Sequence, residues 1–239
     1  MSRLLLLSNS RNPGQEYLAH AGDAILDFLG PKPRRLAFIP YAAVTMSYDD
    51  YTARVREAFT RLGHAVESVH ESDPAEVLRQ ADAIVVGGGN TFRLLERLAA
   101  LALLDRLRSR VHDGVPYIGW SAGANLASPT IRTTNDMPIV EPPSFAALGL
   151  VPFQINPHFT DLTIPNHGGE TRADRILEFL ALNREVRVVG LREGSWLRNQ
   201  GTALTLHGPH SMALFEAGRE RREVEPGSDL GFLQDPRRE

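Results

Sequence analysis

Residues 116–123 decide the fold, with the sequence Pro-Tyr-Ile-Gly-Trp-Ser-Ala-Gly. An apolar run leads into a Gly-x-Ser-x-Gly pattern, and Ala124, Leu126 and Ala127 then favour a helix. A strand, a sharp turn and a helix around a serine are the context of a nucleophile elbow. The glycines on both sides of the serine leave room for the backbone in a crowded turn. An ordinary serine in a strand–turn–helix has the same local pattern, so the interpretation needs further residues.

Short apolar runs alternate with segments of helical periodicity before the serine. We expect strands at 3–8, 36–39, 65–69 and 83–86, each followed by a helix. This alternation predicts a parallel sheet with helices on both faces. In such sheets the chemistry lies at the carboxyl ends of the strands, where Gly87, Gly88, Gly89 and Ser121 are expected.

The second half of the chain departs from this alternation. Residues 128–152 predict an irregular segment, and residues 153–155 and 186–191 predict strands on either side of a helix at 171–182. Further on, residues 202–207, 212–215 and 220–224 predict antiparallel strands, with a turn at 199–201. The expected fold class is a three-layer α/β fold. Its central sheet is mainly parallel with helices on both faces, and antiparallel strands lie near the C-terminus.

Composition places the chain among ordinary globular domains. It has 239 residues, of which 42% are hydrophobic and 23% charged. We expect one domain over residues 1–239, with a loose tail at 225–239 that is rich in proline, glycine and arginine. The net charge of −3 and the dispersed arginines argue against a nucleic-acid binder. The apolar run at residues 4–7 is too short for a membrane span, so no membrane partner is expected.

The chain has no cysteine, which excludes disulfides, thiolate metal sites and a cysteine nucleophile. This composition suits a cytoplasmic protein. Neither a His-Glu-x-x-His motif nor a series of acidic metal ligands occurs, so we expect no metal site and no cofactor.

Three consecutive glycines, Gly87 to Gly89, follow a predicted strand and precede a predicted helix. The dinucleotide motif needs a third glycine where Phe92 stands, and the lysine of a P-loop is missing. Two interpretations remain, a tight turn and a set of backbone donors. Beside the serine, such donors would form the second half of an oxyanion hole, together with the amide of Ala122.

A serine nucleophile needs a base and an acid that orients it. Among eight histidines, His158 is best placed, just beyond a short strand and next to Pro157. Glu193 follows the next buried strand. Asp136 and Asp161, both in irregular segments, are alternative acids, and a general esterase with His207 or His210 as its base is an alternative enzyme. Arg172 begins a helix and is either an ordinary surface arginine or a clamp for a substrate carboxylate.

Several longer motifs resemble one family of enzymes. These are Leu-Leu-Leu-Leu-Ser-Asn-Ser at 4–10, Gly-Gly-Gly-Asn-Thr-Phe at 87–92, Gly-Trp-Ser-Ala-Gly-Ala-Asn at 119–125, Ile-Arg-Thr-Thr-Asn-Asp-Met-Pro-Ile-Val at 131–140, Ile-Asn-Pro-His-Phe at 155–159 and Gly-Glu-Thr-Arg at 169–172. Together they resemble the peptidase E family of α-aspartyl dipeptidases over roughly residues 3 to 220. The resemblance implies a metal-independent, cytoplasmic serine peptidase that cleaves dipeptides with an N-terminal aspartate. It also implies a fold similar to class I glutamine amidotransferases.

The resemblance also implies roles for individual residues. Ser121 would be the nucleophile, His158 the base and Glu193 the orienting acid, with Asp136 as the rival third member. Amides of Gly88, Gly89 and Ala122 would form the oxyanion hole, and Arg172 would bind the aspartyl side chain of the substrate. One departure from the family pattern is the segment Arg-Glu-Gly-Ser at 192–195, where proline is expected before the glutamate and asparagine after the glycine.

Two other functions remain open. A hydrolase of β-aspartyl or cyanophycin-derived dipeptides would use the same type of site. A catalytically silent binding module would keep the fold and sense acidic small molecules. The expected partners are small dipeptides, and the sequence is compatible with a homodimer.

Overall fold

A computed structural model describes residues 2–163, 165–166 and 168–235. The strands are β1 Arg3–Leu7, β2 Arg35–Ile39, β3 Ala65–Ser68, β4 Ala83–Val86, β5 Tyr117–Trp120, β6 Gln154–Phe159, β7 Arg187–Arg192, β8 Trp196–Gln200, β9 Ala203–His207, β10 Met212–Glu216 and β11 Arg222–Val224. The α-helices are α1 Gly22–Leu29, α2 Tyr48–Arg61, α3 Pro74–Gln80, α4 Thr91–Ala100, α5 Leu104–His112, α6 Ala122–Leu126 and α7 Arg172–Leu182. None of the helices in these ranges is long and apolar enough to cross a bilayer.

The strands form two sheets. The larger sheet has the order β3-β2-β4-β5-β1-β8-β9, in which the first five strands are parallel and the last two antiparallel. The smaller sheet has the order β11-β10-β7-β6, with β6 and β7 parallel and the other pairs antiparallel. This arrangement confirms the expected fold class, a mainly parallel central sheet with antiparallel strands near the C-terminus.

Alternation along each central strand separates the two faces of the larger sheet. In β1, Leu5 and Leu7 face a core shared with α1 and α2, and Leu4 and Leu6 face a second core. The second core receives apolar side chains of α3 to α6 and also of the smaller sheet. A third cluster joins the far face of the smaller sheet to α7. The smaller sheet is therefore held between α7 and the main core, and its strands β6 and β7 are brought up to the larger sheet.

β8 is a strand that the sequence analysis does not predict. The turn predicted at 199–201 is confirmed only at Gly201, because residues 201–202 form the turn and Asn199 and Gln200 belong to β8, Trp196–Gln200. This strand pairs with β1 so that Leu6 lies opposite Leu197. Polar residues obscure the strand pattern here, because only Leu197 and Asn199 of the segment are strongly buried and Asn199 is itself polar. The partner strand lies almost two hundred residues away in the chain, so no local signal fixes the pairing.

The expected loose tail is also wrong for residues 225–235. Leu230 and Leu233 are completely or almost completely buried in the main core. Asp229 forms a bridge with Thr205, and the Leu230 N–H donates to the Leu204 carbonyl at 2.8 Å. These contacts outweigh the turn-forming composition of the segment. Residues 236–239, the rest of the expected tail, lie outside the described residues.

Candidate active site

Ser121 lies in the sharp turn between β5 and α6. Its φ of 52° is in the left-handed region, which side chains other than glycine rarely adopt. A Cβ at Gly119 would lie 2.4 Å from the Gly123 carbonyl oxygen, and one at Gly123 would lie 2.3 Å from that of Val86. The Ser121 N–H donates to the Leu7 carbonyl at 3.1 Å, which fixes the turn to the end of β1. These contacts confirm that both glycines are needed for a strained elbow that presents the serine.

A series of hydrogen bonds begins at the Ser121 hydroxyl. Ser121 Oγ lies 2.7 Å from His158 Nε2, and His158 Nδ1 lies 2.6 Å from Glu193 Oε1. The three side chains come from β5–α6, β6 and the end of β7, so the two sheets meet at this point. Such a series allows the imidazole to take a proton from the hydroxyl while the carboxylate stabilises the imidazolium. The Glu193 side chain is 54% exposed, so water screens the interaction of its carboxylate with His158.

His158 lies inside β6 rather than beyond it. The pairing register with β7 shifts between Pro157 and Phe159, and His158 at this bulge has a φ of 54°. The bulge turns the imidazole towards the larger sheet. The His158 N–H donates at 2.8 Å to the hydroxyl of Ser8, which is fully buried and itself donates to the Leu191 carbonyl at 2.7 Å.

The loop that carries Glu193 is also held by the end of β1. Asn9 Oδ1 accepts the N–H of Gly194 at 2.8 Å, and the Ser8 N–H donates to the Ser195 carbonyl at 3.0 Å. On the other side of the loop, the Arg192 guanidinium contacts Asp161 at 2.6 Å and Glu223 at 2.7 Å. The departure from the family pattern at residues 192–195 therefore leaves Glu193 in contact with His158.

Asp136 is held by other residues. Its Oδ2 accepts the N–H of Thr91 at 2.7 Å and the hydroxyls of Thr91 and Thr134 at 2.6 and 3.0 Å. Thr91 is the first residue of α4, so the carboxylate satisfies an N–H group at the start of that helix. The structure thus brings Glu193, and not Asp136, to His158. Asp161, the other alternative acid, pairs with Arg192 and Arg221.

Backbone amides surround the serine. A Cβ at Gly88 would lie 2.9 Å from Ser121 Cβ, so the loop passes directly beside the hydroxyl. Gly89 has a φ of 137°, and a Cβ there would lie 2.2 Å from the Ala42 carbonyl oxygen. The amides of Gly88 and Gly89 donate to no backbone carbonyl within the described ranges, and Ala122 begins α6, where amides lack helical partners. All three are thus free to donate to an anionic oxygen.

Aromatic side chains hold the loop at residues 87–89, called the Gly88 loop. The Tyr51 hydroxyl donates to the Gly88 carbonyl at 3.0 Å and accepts from Trp120 Nε1 at 3.1 Å. Tyr17 also contacts the Tyr51 hydroxyl, at 3.2 Å. Burial raises the pKa of both tyrosines, so they remain neutral at physiological pH. The loop is thereby held in one position next to Ser121.

Arg172 lies beside the site, in a hollow of about 680 Å³ that His158 and Glu193 also line. Thr171 and Asp174 form a capping box that fixes the start of α7 and hence this arginine. Burial lowers the pKa of the guanidinium and nearby Arg175 lowers it further, against the opposing charges of Asp136 and Glu193. Within the described ranges no acidic group lies within ion-pair distance of Arg172, whereas Arg192 in the same hollow pairs with two carboxylates.

The two late histidines do not contact the serine. His207 stacks on Trp196 with ring centroids 6.0 Å apart, and its Nε2 lies 2.8 Å from the Thr205 hydroxyl. His210 lines the Arg172 hollow, and its backbone contacts the Ser195 hydroxyl. Among the residues that the structure describes, no group of three or more metal-ligating side chains is arranged to hold an ion.

Comparison with known proteins identifies the family. Residues 4–207 match the family described as Peptidase family S51. The chain belongs to peptidase family S51. A relative named peptidase E from Streptomyces coelicolor is 54% identical over 238 residues, which cover 99% of this chain and 96% of the relative. Another from Nostoc sp. is 50% identical over 232 residues, which cover 97% of this chain and 96% of the relative.

Solved structures agree with the fold of this S51 peptidase. A putative peptidase E protein from Listeria monocytogenes has a TM-score of 0.66 at 24% identity, with 87% of this chain and 99% of that chain covered. A peptidase from an acI-B1 actinobacterium has a TM-score of 0.70 at 19% identity, with 96% of each chain covered. At these identities the likeness shows the fold alone. The family match and the two close relatives show that the chain is a peptidase.

Sequence reasoning missed part of the site of this S51 chain. Ser8 and Asn9 hold His158 and the Glu193 loop, and Tyr51 holds the Gly88 loop. The first two follow a parallel strand directly, which is where site residues are expected. That position was a usable signal for Ser8 and Asn9. No such signal marks Tyr51, which lies in the first turn of α2.

Proposed function

We propose that this S51 peptidase is a serine dipeptidase that hydrolyses dipeptides with an N-terminal aspartate through an acyl-enzyme on Ser121. The observation that carries the proposal is the hydrogen-bonded series from Ser121 through His158 to Glu193, formed at a strained elbow beside three free amides. An ordinary buried serine has no need of the left-handed backbone, whose cost is of order 1–3 kcal/mol.

In the proposed reaction, His158 Nε2 takes the proton from Ser121 Oγ as the oxygen attacks the aspartyl carbonyl carbon. The carbonyl oxygen becomes an oxyanion and accepts hydrogen bonds from the amides of Gly88, Gly89 and Ala122. His158 then gives its proton to the peptide nitrogen, the C–N bond breaks and the second residue leaves. A water molecule gives a proton to His158 and attacks the ester, and free aspartate is released as Ser121 regains its proton.

The aspartate preference is assigned to Arg172. Its guanidinium is partly buried, stays protonated at all physiological pH values and pairs with no described acidic group. An aspartyl carboxylate entering the hollow supplies the missing partner, in the bidentate geometry that arginine favours. An asparagine or leucine side chain leaves the cation desolvated and unpaired, which gives strong discrimination.

Purified protein incubated with Asp-Leu, Asn-Leu, Glu-Leu and β-Asp-Leu tests the proposal, with Ser121→Ala as the blank. We expect cleavage of Asp-Leu alone and a loss of several powers of ten in kcat for the blank. Near-normal activity in Ser121→Ala would overturn the serine chemistry, and cleavage of β-Asp-Leu alone would make the enzyme a β-aspartyl hydrolase. No cleavage of any peptide would favour a silent binding module.

Arg172→Ala, with Arg175→Ala as the matched control on the same helix, tests the specificity. Arg175 is exposed and lies 3.8 Å from Glu170, so its removal is expected to leave Asp-Leu cleavage nearly unchanged. Arg172→Ala is expected to lose Asp-Leu cleavage far more than any weak activity on other dipeptides. An equal loss on all of them would show that Arg172 has a structural role instead.

A further inference from the structure

A second cavity, separate from the Arg172 hollow, is lined by Ser121 itself. It has a volume of about 530 Å³ and touches Ser121, His158 and the Gly88–Gly89 loop. Its outer wall is apolar and aromatic, built from Tyr17, Val44, Met46, Trp120 and Ile139. His158 lines both this cavity and the Arg172 hollow, so the imidazole stands where the two spaces meet.

Arg54 is the one permanently charged side chain among the described residues that line this cavity, and no acidic side chain is among them. It lies on α2 and is exposed, with its guanidinium carbon 5.9 Å from the centroid of the Tyr17 ring. The other arginines of α2 are paired: Arg56 contacts Glu71 at 2.9 Å and Arg61 contacts Glu57 at 3.0 Å. Within the described ranges Arg54 has no such acidic partner.

We propose that Arg54 binds the free α-carboxylate of the second residue of the dipeptide, whose side chain lies against the apolar wall of the same cavity. The inference rests on the proposed function, because the aspartyl side chain then occupies the Arg172 hollow and leaves this cavity to the residue that is released. His158, between the two spaces, is also where the leaving nitrogen must receive its proton. Arg172 thus binds the aspartyl side chain, and Arg54 binds the α-carboxylate of the second residue.

With this arrangement, the enzyme selects dipeptides over longer peptides because the α-carboxylate must reach Arg54, and no steric block is needed. In a tripeptide the third residue lengthens the extended substrate by about 3.3–3.6 Å, which moves the α-carboxylate away from Arg54. An amide in place of the carboxylate keeps the shape of the substrate and removes its charge. The guanidinium, held over the Tyr17 ring by a cation–π contact, is preorganised for a bidentate anion.

The test is a cycle of two changes, Arg54→Gln in the enzyme and Asp-Leu amide in place of Asp-Leu, with kcat and KM measured for all four pairs. We expect the wild type to prefer Asp-Leu by about tenfold or more in kcat/KM, mostly through KM, as befits a charge-assisted hydrogen bond at an exposed site. Arg54→Gln should abolish this preference and cleave both peptides at similar rates. Added salt should reduce the wild-type preference, since Arg54 is exposed to solvent.

Arg56→Gln is the matched control, because it removes a cation from the same helix outside the cavity. It should keep the wild-type preference for the free carboxylate. An equal loss on both peptides in Arg54→Gln would show that the arginine only packs on Tyr17, and equal cleavage of both by the wild type would also overturn the assignment. If the wild type cleaves neither peptide, the proposed function fails and the inference fails with it. If the wild type cleaves Asp-Leu but Arg54→Gln keeps the preference for Asp-Leu over Asp-Leu amide, the role of Arg54 is overturned and the proposed function stands.

Discussion

The hydroxyl of Ser8 accepts the backbone N–H of His158 at 2.8 Å, across 150 residues of sequence. Ser8 follows β1 in the larger sheet, and His158 lies in β6 of the smaller sheet. The same hydroxyl donates to the Leu191 carbonyl near the end of β7. One buried side chain therefore links the larger sheet to the two parallel strands that present His158 and Glu193.

Replacing Ser8 with alanine is expected to impair catalysis by misplacing His158. The change removes the hydroxyl that accepts the His158 N–H and donates to the Leu191 carbonyl, at a cost of about 1–3 kcal/mol in the free energy of unfolding. The bulge that carries the imidazole also loses a restraint, and a displacement of about 1 Å can lower the rate about 10²-fold. Steady-state kinetics on Asp-Leu should show the loss in kcat, with KM nearly unchanged.

Ser68→Ala is the control for Ser8→Ala. Ser68 is equally buried, and its hydroxyl lies 2.6 Å from His70 Nδ1 and 3.3 Å from the Phe38 carbonyl oxygen. It lies at the end of β3, away from the site. Its loss should lower stability in urea without a comparable fall in kcat. A similar fall in kcat for both variants, tracking their stability, would rule out a positioning role for Ser8.

Glu193→Gln is expected to lower kcat by about 10²-fold, because a neutral amide stabilises the imidazolium of His158 less well than a carboxylate. The effect is placed at the low end of the range for acid–base residues since the Glu193 side chain is 54% exposed.

Asp136→Asn tests the rival acid. Its carboxylate satisfies the start of α4, so this variant should lose about 1 kcal/mol of stability and retain most of its kcat. The reverse outcome would make Asp136 the group that acts on His158.

The elbow was predictable from sequence because its determinants are local. Two glycines, a serine between them, an apolar run before and helix formers after all lie within a dozen residues, and steric exclusion at Gly119 and Gly123 makes the pattern obligatory. The alternation of strands and helices before Ser121 predicted the parallel part of the sheet for the same reason. The contact between Ser121 and His158 was reached through the short strand before His158 and, more specifically, through the family resemblance.

The remaining features depend on partners that are distant in sequence. The pairing of β8 with β1 and the separation of β6, β7, β10 and β11 into a second sheet have no local signature. Ser8 has a role only because β6 and β7 are brought beside β1. The helical pattern of α2 predicts only that Arg54 faces solvent. The fold is needed to show that Arg54 and Ser121 line the same cavity. Local patterns indicate elements, whereas the site is built where several elements meet.

Acidification is expected to destabilise the fold through His64. Its side chain is only 4% exposed; Nδ1 accepts the Arg34 N–H at 3.3 Å, and Nε2 has no partner within the described ranges. Burial, followed by the positive charge of Arg34, lowers the pKa of His64. The unfolded chain then takes up the proton first, so the contribution of His64 to stability is complete above the unfolded pKa of about 6.5 and is lost as the pH falls towards the lower folded pKa.

Urea unfolding at about pH 7.5 and about pH 5.5 measures this loss, because carboxylates with pKa values near 4 stay ionised in both conditions. The urea midpoint of the wild type should be lower at the acidic pH. His64→Gln should show a smaller difference between the two conditions. Part of the difference should persist, because burial also lowers the pKa of His20 and His207. His112→Gln, at an exposed helix end, should behave as the wild type does, and an undiminished pH effect in His64→Gln would show that His64 is not its source.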